Sequence, residues 1–272
     1  MALGLILSSS DFNVMDTGPT SLASNFIGGE NGTAGLNSSL SDPITNTGDF
    51  NRTFAITSDA WAVHLISNSV DSSLYSGSIN TSKAYSARAW VRLDNIAQAN
   101  LYGIGVIFMT QDNEFFDGGS AAYATRLAGY SCQLSGWRMF NSSFSTTQPC
   151  LSISANGVSG SLGVGTTCTG PNVGTTNGYA KDTWYRIRFD MIPAGAAGVT
   201  LNAYTSSAGD VPSGQEVWEL VGTQYIDAVD SYYIDPTLVR NSMGFYAFSD
   251  NQDIGDDPVS HIDQFEILVE DL

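Results

Sequence analysis

Residues 182–193 read DTWYRIRFDMIP, and large apolar side chains alternate along them with mostly charged ones. One set of alternate residues is apolar: Tyr185, Ile187, Phe189 and Met191. The other set consists of Trp184, Arg186, Arg188 and Asp190. Because successive side chains of a β-strand point to opposite faces of the sheet, the stretch predicts a strand with one face buried in a core and one face directed outward.

The same alternation appears in residues 83–93, KAYSARAWVRL. Tyr85 and Val91 belong to the apolar set of alternate residues, and Arg88, Trp90 and Arg92 belong to the opposite set. We expect the two strands to share a sheet. Further runs with strand character, bounded by Gly, Pro, Asn and Asp, cover residues 54–66, 101–110, 121–130, 136–140, 199–205, 216–222, 243–248 and 261–270.

These runs predict an all-β protein, a two-sheet antiparallel β-sandwich, in which residues 1–272 form a single domain. The run 243–248, MGFYAF, is apolar on both faces and predicts a central strand. A short helical turn is expected near residues 223–229. No internal repeat and no linker suggests a second domain.

The composition excludes some partners. The chain of 272 residues has a formal net charge of -17, so its surface should repel nucleic acid and anionic lipid. No stretch is long and apolar enough to cross a bilayer, and residues 1–12 lack the charged leader of a signal peptide. The odd number of cysteines, with synthesis in the cytoplasm, favours free thiols at Cys132, Cys150 and Cys168.

The order of the strand motifs resembles that of concanavalin A-like lectins and glucanases, a jelly-roll group that includes laminin-G-type domains. The motifs are SSSDF (8–12), GIGVIF followed by TQDNEF, DTWYRIRF, VTLNAYT, the strand around Trp218, NSMGFYAF and HIDQFEIL. The resemblance covers about residues 83–271. It implies a jelly roll whose first and last strands lie side by side, with ligand on the concave sheet.

Catalysis is not expected. Glucanases of this architecture place their carboxylates on one strand face as E-x-D-x-x-E, and the sequence contains no such string. The two histidines, His64 and His261, lie in no catalytic or metal-binding motif. We therefore predict no catalytic residues and no cofactor. The resemblance leaves one metal to consider, a structural calcium in the acidic loop that contains Asp250, Asp253, Asp256 and Asp257; a solvated acidic turn is the favoured alternative.

The outward face of the two arginine-rich strands has two interpretations. Flat indole rings stack on sugars and guanidinium groups bind hydroxyls or carboxylates, which predicts a carbohydrate site. Its candidate residues are Arg88, Trp90, Arg92, Trp184, Arg186, Arg188 and Tyr204. The alternative, which we favour slightly, is a set of cross-strand ion pairs with Asp190, Glu219 and Glu266 that binds nothing.

Residues 139–180 contain no charged residue and no histidine, although the chain as a whole is strongly acidic. Charge normally protects exposed edges from association, so its absence predicts that the segment is covered. We expect a hairpin or loop excursion that packs on another subunit through Val158, Leu162 and Val164, with a plain surface loop as the alternative. Mutating these three residues to Asp should then weaken assembly.

A lectin-like sandwich without a leader is typical of a virion component that is made in the host cytoplasm. The first functional hypothesis is a non-enzymatic bacteriophage structural protein, a capsid decoration or a tail or fibre part. It would assemble with other virion proteins and with copies of itself through the N-terminal arm (about 1–12) and the neutral segment. The second hypothesis is a carbohydrate-binding module for host-surface glycans, and the third is a divergent glycan hydrolase or lyase.

Overall fold

The structure is a computed structural model that describes residues 4–5, 26–30, 33–37, 51–55, 60–66, 82–94, 101–110, 129–135, 150–156, 165–168, 183–206, 216–235, 242–250 and 259–271. Its strands, in chain order, are β1 (Gly4–Leu5), β2 (Phe26–Glu30), β3 (Thr33–Asn37), β4 (Asn51–Ala55), β5 (Ala60–Ile66), β6 (Lys83–Asp94), β7 (Leu101–Thr110), β8 (Gly129–Ser135), β9 (Cys150–Asn156), β10 (Gly165–Cys168), β11 (Tyr185–Pro193), β12 (Gly198–Ser206), β13 (Trp218–Asp227), β14 (Ser242–Asp250) and β15 (Val259–Asp271). A single 3-10 turn, Gly195–Ala197, joins β11 to β12.

The strands form two sheets, and every pairing between described strands is antiparallel. Sheet one has the order β13-β12-β11-β6-β15-β4-β3, with β1 paired to β15. Sheet two has the order β10-β9-β8-β7-β14-β5-β2. The predicted antiparallel sandwich is confirmed, β6 and β11 are neighbours as expected, and β14 occupies the predicted central position between β7 and β5.

The core lies between the sheets and is built from the alternate apolar side chains of the strands. Ile187, Phe189 and Met191 of β11 are buried there, as the alternation predicted. Phe189 stacks on Phe108 of sheet two with ring centroids 5.4 Å apart, and Phe245 of sheet two meets Phe265 of sheet one edge-on at 5.1 Å. Each such side chain contributes about 1.5–3 kcal/mol through its burial, so these contacts between the layers hold the sandwich closed.

Some strand boundaries differ from the prediction. The run 54–66 is divided between β4 in sheet one and β5 in sheet two. The helical turn expected at residues 223–229 is wrong, because β13 continues through Asp227 and pairs with β12 over that length. This cross-strand pairing satisfies backbone groups that a helix would satisfy internally. Of the strand expected at 121–130, Gly129 and Tyr130 belong to β8. Residues 121–128 and the strand expected at 136–140 lie outside the described residues.

The neutral segment contributes the β9–β10 hairpin, which forms one edge of sheet two. Leu151, Ile153 and Ala155 of β9 enter the core, and Ser152 and Ser154, on the opposite face, are also buried. Because both faces of this strand are closed to solvent, a charged side chain on either face would lose its hydration without gaining a partner. The burial of β9 in the chain's own core gives a physical reason for its neutrality. A contact of the segment with another subunit stays a prediction.

A β-bulge in β15 sets which side chains of that strand face outward. Asp263 is opposite Trp90 and Glu266 is opposite Arg88, so two residues of β15 occupy the space of one on β6. The bulge places Phe265 in the core and turns Glu266 to the outer face, which a regular alternation would not do. It thereby brings a carboxylate to the arginine-rich surface of sheet one.

Candidate functional site

The outer face of sheet one carries the candidate site, which we call the arginine–aromatic ladder: Arg88, Trp90, Arg186, Arg188, Tyr204 and Trp218. The register places Arg88 directly opposite Arg188, and Arg188 directly opposite Tyr204. On β6, β11 and β12 their parity is opposite to that of the core residues. On β13, a register shift lets Trp218 pair with Ser206, which shares the parity of Tyr204, so Trp218 lies on the outer side as well. The ladder thus crosses β6, β11, β12 and β13.

Arg186 is the centre of a buried ion-pair network. Its Nε donates to Glu216 Oε1 at 3.2 Å, and its Nη2 donates to Glu266 Oε2 at 3.2 Å. Its guanidinium also lies over the ring of Trp90, 5.9 Å from the ring centroid. The side chains of Arg186 and Glu216 are 0% and 1% exposed. A buried charge is tolerated only when it is paired and hydrogen-bonded, so this network fixes three side chains from separate parts of the chain.

Arg188 makes the second ion pair and connects it to the aromatic side chains. Its Nε and Nη2 donate to the two carboxylate oxygens of Asp190 at 2.7 and 2.6 Å, a bidentate arrangement. Its guanidinium lies 4.9 Å from the ring centroid of Tyr204 and 6.0 Å from that of Trp218. Burial, and then the charge of Asp190, raise the pKa of Tyr204, so its hydroxyl remains a neutral hydrogen-bonding group.

Arg88 differs from both of these arginines. It is buried, its guanidinium lies 5.4 Å from the ring centroid of Trp218, and its Nε has no hydrogen-bond partner. Burial, followed by the nearby charge of Arg188, lowers the pKa of Arg88, and Glu216 and Glu266 oppose that shift. Its neighbours of the same parity on β6, Ser86 and Trp90, are also buried and leave Ser86 Oγ and Trp90 Nε1 without partners.

The predicted site residues are therefore less open than expected. Arg88, Trp90 and Arg186 are buried, which corrects the expectation that this face is exposed; Arg92, Trp184, Arg188 and Tyr204 are partly exposed. Trp184, two residues before Arg186, lies beside buried His261 at a centroid distance of 6.1 Å. The predicted cross-strand ion pair is present for Glu266, whereas Asp190 pairs with Arg188 on its own strand.

Two residues of the site were missed by the sequence analysis. Glu216 takes the role that was expected of Glu219, which is exposed. Trp218 lies beside the ladder arginines because β13 pairs with β12, where Ser206 is its direct partner. The alternation of residues 216–222 predicts a strand that contains Trp218. Only the position of β13 in the sheet shows that Trp218 lies beside the ladder arginines.

The remaining predicted sites are not described. Val158, Leu162 and Val164 lie outside the described residues, as do Asp253, Asp256 and Asp257; of Asp250 only the backbone is described, at the end of β14. Within the described part of the chain, no group of three or more His, Cys, Asp or Glu side chains could hold a metal ion. Cys132 lies in the core as a buried thiol.

The described residues also include no helix with the length and hydropathy needed to span a membrane. No protein-family model matches the sequence, and no curated protein matches it.

Solved structures do match the fold. The carbohydrate recognition domain of Emp47p, in a monoclinic crystal form, is 11% identical with a TM-score of 0.56; the match covers 99% of this chain and 96% of that one. The metal-free form of the Emp46p carbohydrate recognition domain is 9% identical with a TM-score of 0.50, and the match covers 98% of both chains. These are L-type lectin domains with concanavalin A-like jelly rolls. The chain therefore has the concanavalin A-like jelly-roll fold that the order of its strand motifs predicted.

Proposed function

We propose that the chain is a lectin-like domain that binds a carbohydrate, without catalysis, at the partly exposed end of the arginine–aromatic ladder. Tyr204, Trp218 and Arg188 form this end, and the observation that carries the proposal is their arrangement: one guanidinium lies within 6.0 Å of the centroids of two aromatic rings. Aromatic faces stack on the apolar faces of sugar rings, and the guanidinium donates to sugar oxygens.

These residues lie where a ligand can reach them from solution. β13 is the edge strand of sheet one, and Leu220, which lies directly opposite Tyr204, is 53% exposed. Arg188 is already held by Asp190, so little side-chain entropy is lost when a ligand binds. The fold, which resembles two domains named as carbohydrate recognition domains, supports the same function.

A glycan array followed by titration calorimetry tests the proposal. We expect reproducible binding to a restricted set of glycans, and Trp218→Ala should weaken it by about 2 kcal/mol, the usual cost of truncating an aromatic anchor. Val229→Ala is the matched control, because Val229 is 88% exposed and lies beyond the end of β13. The proposal is wrong if no glycan binds, or if both variants bind as the unmodified chain does.

A second proposal is a virion structural role through subunit contacts, in a virion assembled in the host cytoplasm. The observation that favours it is the β9–β10 hairpin, since its edge strand, GTTC, comes from a segment without charge. Edge strands normally carry charges that prevent sheet-to-sheet association. Sedimentation and native mass measurement test for the oligomer. Of the two proposals, the fold comparisons support carbohydrate binding more directly.

A further inference from the structure

We infer that the saccharide recognised by this chain is acidic, and that Arg88 binds its carboxylate. The inference rests on the proposed carbohydrate site and names the class of its ligand. Three arginines of one surface differ in their partners: Arg186 and Arg188 donate to carboxylates, whereas Arg88 has an unpartnered Nε and is 6% exposed.

An unsatisfied donor on a buried charged group is costly and uncommon in folded proteins. The guanidinium presents Nε and one Nη as a fork, and a carboxylate accepts from both at once. Glu216 and Glu266, whose charges act on Arg88, are already bonded to Arg186. Arg88 is thus the arginine of the ladder whose fork remains available.

The neighbours of Arg88 extend this donor surface along β6. Ser86 Oγ and Trp90 Nε1 belong to the residues two before and two after Arg88, and both atoms are buried without a partner. Alternate residues of a strand lie about 6.5–7 Å apart, close to the size of one sugar ring. A carboxylate on Arg88 would therefore place ring hydroxyls within reach of further unused polar atoms.

Trp218 connects this buried donor to the partly exposed sugar site. Its ring is 5.4 Å from the Arg88 guanidinium and 6.0 Å from that of Arg188. Trp218 is partly exposed on the edge strand, so a sugar that stacks there lies beside Arg88. The proposed route to Arg88 passes this indole ring.

The test compares matched glycans that differ in one group. Each glycan ending in glucuronic acid is printed beside the same glycan ending in glucose, so that a carboxylate replaces a hydroxymethyl group. We expect the acidic member of a bound pair to bind at least tenfold more tightly. In Arg88→Met this preference should disappear while weak binding of the neutral member persists, and Arg88→Lys, which keeps the charge but loses the fork, should retain only part of it.

The outcomes separate the two proposals. Equal binding of acidic and neutral members to the unmodified chain overturns the inference and leaves the carbohydrate site intact, and this comparison does not depend on a variant that folds. A preference that survives unchanged in Arg88→Met also overturns it. Absence of binding to every glycan overturns the proposed function, and the inference with it.

Discussion

Arg186 and Glu266 form a buried ion pair across a third strand: they belong to β11 and β15, which flank β6 on either side, and their side chains meet over it at 3.2 Å. Glu216 completes the network from the segment that precedes β13. The ion pairs therefore join three separate regions of the chain on the outer face of sheet one.

Arg186→Met should destabilise the fold strongly. Removal of one member of a buried ionic network leaves the others desolvated without partners, and we expect a loss of about 3–5 kcal/mol in urea unfolding followed by circular dichroism. The control is Glu219→Gln, because Glu219 is exposed on β13 and its change should cost no more than about 0.5 kcal/mol. Equal losses in the two variants would contradict the central role of Arg186.

Phe189→Ala should cost about 3–5 kcal/mol, since it removes both the buried ring and its stack on Phe108 and leaves a cavity between the sheets. Thermal and urea unfolding measure the effect. Leu220→Ala, at an exposed position of sheet one, should change stability by no more than about 0.5 kcal/mol. A mild effect of Phe189→Ala would mean that the two sheets are not held together at this contact.

Tyr130→Phe should lower stability by about 1–2 kcal/mol, because the Tyr130 hydroxyl accepts from the Ile234 N–H at 2.7 Å and donates to the Ile234 carbonyl. Burial raises the pKa of Tyr130 well above its ordinary value near 10. The folded chain therefore holds this proton more tightly than the unfolded chain. The stabilisation is complete below about pH 10 and falls as the pH rises further, since the unfolded chain then loses the proton.

Unfolding measured from pH 8 to pH 11 checks this dependence. The unmodified chain should lose more stability over the alkaline part of the range than Tyr130→Phe does. Parallel curves for the two proteins would show that the Tyr130 hydroxyl is not the group responsible.

Gly105→Ala should disrupt the pairing of β7 with β8. A Cβ at this position would lie 2.2 Å from the Cys132 carbonyl oxygen and 2.7 Å from Gln133 Cα, and neither backbone atom can move without distorting the sheet. We expect a loss of about 3 kcal/mol or an unfolded protein. Gly195→Ala should lower stability by only about 1 kcal/mol. This loss comes from the φ of +63°, which disfavours a side chain, since nothing lies within 4 Å of the added carbon.

The triple variant Val158→Asp, Leu162→Asp and Val164→Asp should weaken self-association if the neutral segment forms a subunit contact. Analytical ultracentrifugation measures the mass in solution, and Val229→Asp adds a charge at an exposed position as a control. An unchanged sedimentation profile in the triple variant would reject the subunit contact.

The fold was predictable because its evidence is local. The alternation in residues 182–193 and 83–93 identified the faces of β11 and β6, and the order of the motifs indicated the jelly roll. The burial of the outer face was not predictable, because parity shows which side a residue faces but not whether something covers that side. Arg186 has the pattern of an exposed strand residue and is nevertheless fully buried.

The ion-pair partners were only partly predictable, for a related reason. Asp190 lies two residues from Arg188 on the same strand face, so their contact follows from the sequence. Glu266 reaches the outer face because of the β15 bulge, and Glu216, just before β13, comes near Arg186 only because β13 pairs with β12 in the same sheet. Contacts that depend on a bulge or on a strand entry need the three-dimensional register.

The place of β6 between β11 and β15 constrains the order in which a newly made chain can fold. Val91 of β6 pairs with Tyr185 on one side and with Ile262 on the other, so β6 must wait for partners that are synthesised much later. At about 5–20 residues per second on the ribosome, that delay is on the order of ten seconds or more. During translation its apolar side chains are a natural target for chaperones, and the sandwich closes only after β15 has left the exit tunnel.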